Sequence, residues 1–142
     1  MPLLHEALTR RAIGCFYTVY SRLDYGLLEN AYVGATALEL EKAGFHVSRE
    51  VPVAVEYDGV IVGSYRIDLL VERVLVIEVK TGTSIAEQDE RQLRNHLRCS
   101  NLEVGLLFNF GPTPRFRRLI YSNDRKRHEV HRDPRQFRPI PR

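Results

Sequence analysis

From Leu8 onward the apolar positions Leu8, Ala12, Cys15, Phe16, Val19 and Leu23 recur every three or four residues, the stripe of an amphipathic helix. Asp24-Tyr25-Gly26 should end it. A second helical pattern starts near Leu27, carries Leu28, Ala31, Tyr32, Ala35 and Leu38, and stops at Gly44, a residue suited to a helix C-terminus. The period then falls to two. Val51, Val53 and Val55 alternate with Pro52, Ala54 and Glu56, Asp58-Gly59 is a hairpin signal, and Val60 to Val62 begin the returning strand. Gly63-Ser64 is expected to break or bulge that strand before Tyr65 to Val71. Val74 to Lys80 reads as the next strand. Both parities are apolar from Val74 to Ile77, which predicts cover on both faces. A helix is predicted from about Ile85 to Arg98 with Ile85, Leu93 and Leu97 inward, then a strand from Val104 to Phe110 and a weaker one from Phe116 to Tyr121. The order α-α-β-β-β-α-β, with an antiparallel strand meander between helices, predicts an α/β domain.

A length of 142 residues fits one core, and 44% hydrophobic with 27% charged residues is ordinary for a globular chain. The apolar runs fall far short of the roughly 20 residues of a membrane helix, so no span is expected. His5, Glu6, Arg10 and Arg11 interrupt any signal-like apolar stretch, and a cytoplasmic location is the expectation. Cys15 and Cys99 are too far apart for a CxxC site and read as small buried apolar residues. The net charge of +3 hides a split: residues 115–142 hold ten basic and three acidic groups, leaving 11 basic and 15 acidic before them. The expected organisation is therefore a single domain over residues 1–121 and a basic, proline-containing C-terminal tail over 122–142. Such a tail either contacts a polyanion or serves solubility.

The candidate chemistry lies where charge interrupts the apolar strands. Glu78 and Lys80 share one parity, about 6.5–7 Å apart along the backbone. Asp68 joins them only if the preceding hairpin has an odd loop, Glu72-Arg73-Val74, which places Asp68 opposite Glu78; a two-residue turn would oppose it to Ile77. The odd loop is expected. Two carboxylates about 4 Å apart repel by roughly 4 kcal/mol at an effective dielectric near 20, and a divalent cation reverses that sign. Carboxylates with retained water suit Mg²⁺, so the pair reads as a metal seat with Lys80 beside it. The alternative is an ion pair of Lys80 with Asp68 or Glu78 that ends a sheet. Glu29, three positions before Tyr32, is either a third acid of the site or an ordinary first-turn acid. Gln92 is either a site amide or a surface one. His96 is read as a helix-surface or satisfied core histidine.

Gly26-x-x-Glu29-x-x-Tyr32, Tyr65-Arg66-Ile67-Asp68-Leu69-Leu70-Val71, Glu78-Val79-Lys80, Gln92-Leu93-Arg94-Asn95-His96-Leu97 and Gly105-Leu106-Leu107-Phe108-Asn109-Phe110-Gly111 follow in order. Together they resemble the GxxExxY family, a branch of the PD-(D/E)XK nuclease superfamily, over roughly residues 5–121. The resemblance implies a restriction-endonuclease-like α/β core with a central mixed sheet. It implies that Asp68 and Glu78 bind Mg²⁺ or Mn²⁺, that Glu29 completes the acidic cluster, that Lys80 polarises the attacking water or steadies the transition state, and that Gln92 orients lysine or substrate. Ile67 stands where the superfamily name has proline, Asp24 where glycine is usual, and His96 where tyrosine is common.

Two functions follow. The first is a metal-dependent nuclease acting on nucleic acid, DNA rather than RNA, with Arg66, Arg91, Arg94 and Arg98 on flanking phosphates and Arg125, Lys126 and Arg127 adding salt-sensitive affinity. The second is a non-catalytic nucleic-acid-binding or interaction module that keeps the fold. A glycosidase using Asp68 and Glu78 is disfavoured by Lys80 and by the lack of tryptophan for sugar stacking. Oligomeric state is open, a homodimer included.

Overall fold

The computed structural model describes residues 4–126. Helix α1, Glu6–Leu23, buries Thr9, Ala12, Phe16 and Val19, the helical spacing read from the sequence. Its end is fixed by Asp24, at φ 58°, whose N–H donates to Tyr20 O. Helix α2, Glu29–Lys42, buries Tyr32, Val33, Thr36, Ala37 and Leu40. This differs from the predicted stripe, because Leu28 and Leu38 are exposed. Tyr32 sets the roll of the helix: its ring stacks on Phe110 with centroids 4.3 Å apart, and its hydroxyl donates to Asp24 O at 2.6 Å while accepting from Leu27 N at 3.1 Å. Those bonds staple the α1–α2 turn, where Gly26 takes φ 109°, and so fix the start of α2 at Glu29.

Strands β1 (Val47–Tyr57), β2 (Val60–Val71), β3 (Leu75–Lys80), β4 (Val104–Phe110) and β5 (Pro114–Ile120) form one mixed sheet in the order β1-β2-β3-β4-β5. Neighbours are antiparallel except β3 and β4, which run parallel because helix α3, Glu87–Arg98, crosses between them. The weak last strand is present, starting two residues earlier than expected. The Asp58-Gly59 turn has both residues at positive φ, as a tight two-residue hairpin requires. Gly63-Ser64 does not break β2. The irregularity lies at Val62, since Val55 pairs with Gly63 but Glu56 with Ile61. That one-residue shift sets Glu50, rather than Arg49, opposite Asp68. Glu50 itself has φ 51° in mid-strand, and across it the strand changes faces: Val47 packs with α1 and α2, whereas Val51 and Val53 pack with α3.

Both faces of β3 are covered, as its doubly apolar sequence predicts. Leu75, Ile77 and Val79 meet Phe16, Tyr32 and Leu40 on one side, and Val76 meets Leu93 and Leu97 of α3 on the other. The α3 side is tight. A Cβ on Gly105 would fall 2.7 Å from Leu93 Cδ1, so this glycine lets α3 lie close on the sheet. Cys99 is buried as expected, while Cys15 is only partly so. Residues 122–126 turn back onto the domain through a short 3-10 helix, Asn123–Arg125. No helix among the described residues is long and apolar enough to cross a membrane.

Candidate active site

The β2–β3 ladder pairs Leu69 with Ile77, Leu70 with Val76 and Val71 with Leu75, leaving the three-residue loop Glu72-Arg73-Val74. Asp68 therefore comes opposite Glu78, where the two strands begin to separate. Each acid replaces part of the lost ladder. Asp68 Oδ2 accepts from Val79 N–H at 2.8 Å, and Glu78 Oε2 accepts, at 3.4 Å, from the N–H of Asp68. One oxygen of each carboxylate is thus used by the opposite backbone, and Asp68 Oδ1 and Glu78 Oε1 have no hydrogen bond from the described residues.

Helix α3 lies across this end of β3 and touches it twice. Lys80 Nζ donates to Gln92 Oε1 at 2.8 Å, and His96 Nδ1 lies 3.1 Å from Glu78 Oε2. The match is geometric: residues i and i+2 on a strand are about 6.5–7 Å apart, and i and i+4 on a helix about 6 Å. His96 is 1% exposed and its ring lies 5.0 Å from that of Tyr65, so it holds Glu78 from inside the protein. It is satisfied, as one sequence reading allowed, but its partner is a site acid. Gln92 on Lys80 was the signal that could have revealed this, because its i+4 neighbour must then face Glu78.

Glu29 opens α2 and lines, with Asn30, Val33, Arg49, Glu50 and Asp68, a cavity of about 210 Å³. Burial pushes the Asp68 carboxyl above its usual range, opposed by the Val79 N–H and by the Lys80 and His96 charges, with Glu50 adding to the rise. The Glu78 carboxyl is raised first by burial and also by Asp68, against the pull of His96. Glu29 is raised by lost hydration and by Asp68 and Asp89, while Lys80 lowers it. Three carboxyls thus resist ionisation in one place. Among the described residues no group of three or more His, Cys, Asp or Glu closes into a metal cage. Two opposed carboxylates, each with a spare oxygen, have the chemistry that could hold a hard divalent cation keeping much of its water.

The basic residues fall in separate places. Arg66 pairs with Glu50 at 3.6 Å. Arg91, Arg94 and Arg98 form their own stripe on α3, turned about 150° from the Gln92–His96 face at 100° per residue. They do not converge on Asp68 and Glu78. Arg91 pairs with Glu87, and Arg98 has a buried Nε without a partner. Arg125 stands over the Tyr121 ring. Lys126, expected on phosphate, is buried instead: its ammonium donates to Ser100 O at 2.7 Å and Leu102 O at 2.8 Å, because the chain turns back there onto the α3–β4 loop. Arg127 and the rest of the basic tail lie outside the described residues.

Searches of curated proteins and of solved structures each return no match. A family model for the PD-(D/E)XK nuclease superfamily matches residues 6–119, which contain all three helices and the acids, lysine and glutamine just described, in an α/β fold of restriction-endonuclease type. Members of that superfamily are generally nucleases that use divalent metals. The opposed acids at the parting of β2 and β3 and the match over α1 to β5 lead to one conclusion: the chain belongs to the PD-(D/E)XK nuclease superfamily.

Proposed function

We propose that this chain is a Mg²⁺- or Mn²⁺-dependent nuclease of the GxxExxY branch, hydrolysing phosphodiester bonds of nucleic acid, DNA in the first place. The observation that carries the reading is the Asp68–Glu78 pair: two desolvated carboxylates set against each other are costly to keep unless a cation joins them. Asp68 and Glu78 would hold the cation through their spare oxygens, with Glu29 facing the same cavity. A divalent cation there supplies Lewis-acid polarisation of the phosphoryl group and activation of water.

The chain's own groups do the positioning. Gln92 keeps the Lys80 ammonium at the rim of the acids, where it donates to the attacking water or to a phosphoryl oxygen and offsets the charge that grows in the transition state. His96 keeps Glu78 from rotating away from Asp68. A pure binding module facing phosphate gains nothing from these clustered acids.

Purified protein incubated with Mg²⁺ or Mn²⁺ and labelled single- and double-stranded DNA and RNA should cut at least one of them. Asp68→Ala, Glu78→Ala and Lys80→Ala should each reduce the rate at least 100-fold while leaving the circular dichroism spectrum intact. Wild-type protein that cuts none of the four polymers, or an Asp68→Ala variant that cuts like wild type, would overturn the proposal.

A further inference from the structure

We propose that Arg49 binds a backbone phosphate of the nucleic acid at this site, an inference that rests on the nuclease reading. Arg49 lines the same cavity as Glu29, Glu50 and Asp68. Three carboxylates lining one cavity repel an incoming polyanion, and a cation held between Asp68 and Glu78 answers only part of that field. A donor for phosphate is needed on this flank.

Arg49 is placed to be that donor. Its guanidinium lies along α2 over Gly34, with Nη1 and Nη2 at 3.8 and 3.9 Å from the point a Cβ would occupy. A longer side chain at position 34 would take the guanidinium's seat. Arg49 makes no ion pair or hydrogen bond with Glu29, Glu50 or Asp68 among the described residues, whereas Arg66 is drawn to Glu50 and Lys80 to Gln92. The α3 arginines face elsewhere. A guanidinium presents planar paired donors that match two oxygens of a phosphodiester, and one without a carboxylate partner can spend them on it. Its position follows from the backbone, since the shift at Val62 and the left-handed Glu50 set Arg49 one residue before the partner of Asp68.

The test uses the full chain with Arg49→Ala, Arg49→Lys and Gly34→Leu. Binding of fluorescein-labelled 20-nucleotide DNA and RNA, single- and double-stranded, is measured by anisotropy with Mn²⁺ in a Lys80→Ala background that blocks turnover. Arg49→Ala should weaken binding about 10-fold and lower the slope of log affinity against log salt by about one. Arg49→Lys should restore the slope but only part of the affinity, and Gly34→Leu should reproduce the Arg49→Ala loss. In the cleaving enzyme the KM should rise about 10-fold with kcat within about twofold. Calorimetric Mn²⁺ affinity should be unchanged or tighter, because a nearby positive charge has gone. Arg49→Ala with affinity and KM within twofold of its parent, in a wild-type enzyme that cuts, overturns the inference and leaves the nuclease reading standing. Loss of Mn²⁺ binding in Arg49→Ala, or unchanged affinity in Gly34→Leu, also overturns it. Wild-type protein that neither binds nor cuts any probe removes both.

Discussion

Asp68→Asn should make the metal-free protein more stable. Directly opposed side chains hold their Cβ atoms about 4.5–5.5 Å apart. Two carboxylates about 5 Å apart repel by about 3 kcal/mol at an effective dielectric of 20. The Val79 N–H, His96 and Lys80 take back part of this, and an asparagine oxygen can still accept from Val79. A net gain of about 1–2 kcal/mol remains, or roughly 3–8 °C in Tm for a domain of this size. The sign with pH follows from the raised carboxyls. Between the unfolded value near 4 and the higher folded value, the native state holds more protons than the unfolded chain, so wild-type stability falls as pH rises through that window. The advantage of Asp68→Asn should therefore be small near pH 4 and full at pH 7.5. Mn²⁺ should reverse the order, since ligand at a hundred times its Kd stabilises the wild type by about 2.7 kcal/mol and the variant far less. Thermal melts followed by circular dichroism suit a chain without tryptophan. An Asp68→Asn protein that melts below wild type in EDTA at pH 7.5, or that gains as much from Mn²⁺, would refute the reasoning.

Three further outcomes are expected. His96→Ala removes the partner of a buried carboxylate, so it should cost about 1–3 kcal/mol in denaturant titration, and it should weaken Mn²⁺ binding in calorimetry, with His96→Gln recovering part of both. Tyr32→Phe loses the two hydroxyl bonds of the α1–α2 turn; a drop of about 1 kcal/mol should accompany a slower cleavage rate as Glu29 loses its fixed place. Gly105→Ala forces Leu93 outward and should destabilise by about 1–3 kcal/mol, while kcat falls more than the affinity for nucleic acid changes.

Where the sequence was informative, one physical constraint acted alone. The apolar run Val74 to Ile77 admitted only a strand covered twice, and the demand that Asp68 meet Glu78 selected an odd loop, which is the loop in the structure. The α2 face was hidden because apolar residues lie all round that helix, and its roll is set by Tyr32 reaching Asp24 and Phe110. The sequence points to Gly63-Ser64 for a break or bulge, but side-chain pattern alone does not say which residue of a β-ribbon goes unpaired, and so the neighbourhood of Arg49 and Glu50 is illegible in it. His96 carried no signal by itself; its meaning comes from Gln92 four residues earlier. Lys126 looked like any other cation of a basic stretch until the chain was seen to turn back and bury it.

Gly105 has no reactive atom and never meets a substrate, yet it governs the clearance between the slab that carries acid and ammonium and the rod that steadies them. A single methyl added there would act as a spacer, lifting both rungs of the clamp together. The tolerance of the chemistry is in this sense machined into the molecule's interior, at a position that a search confined to polar side chains would pass over.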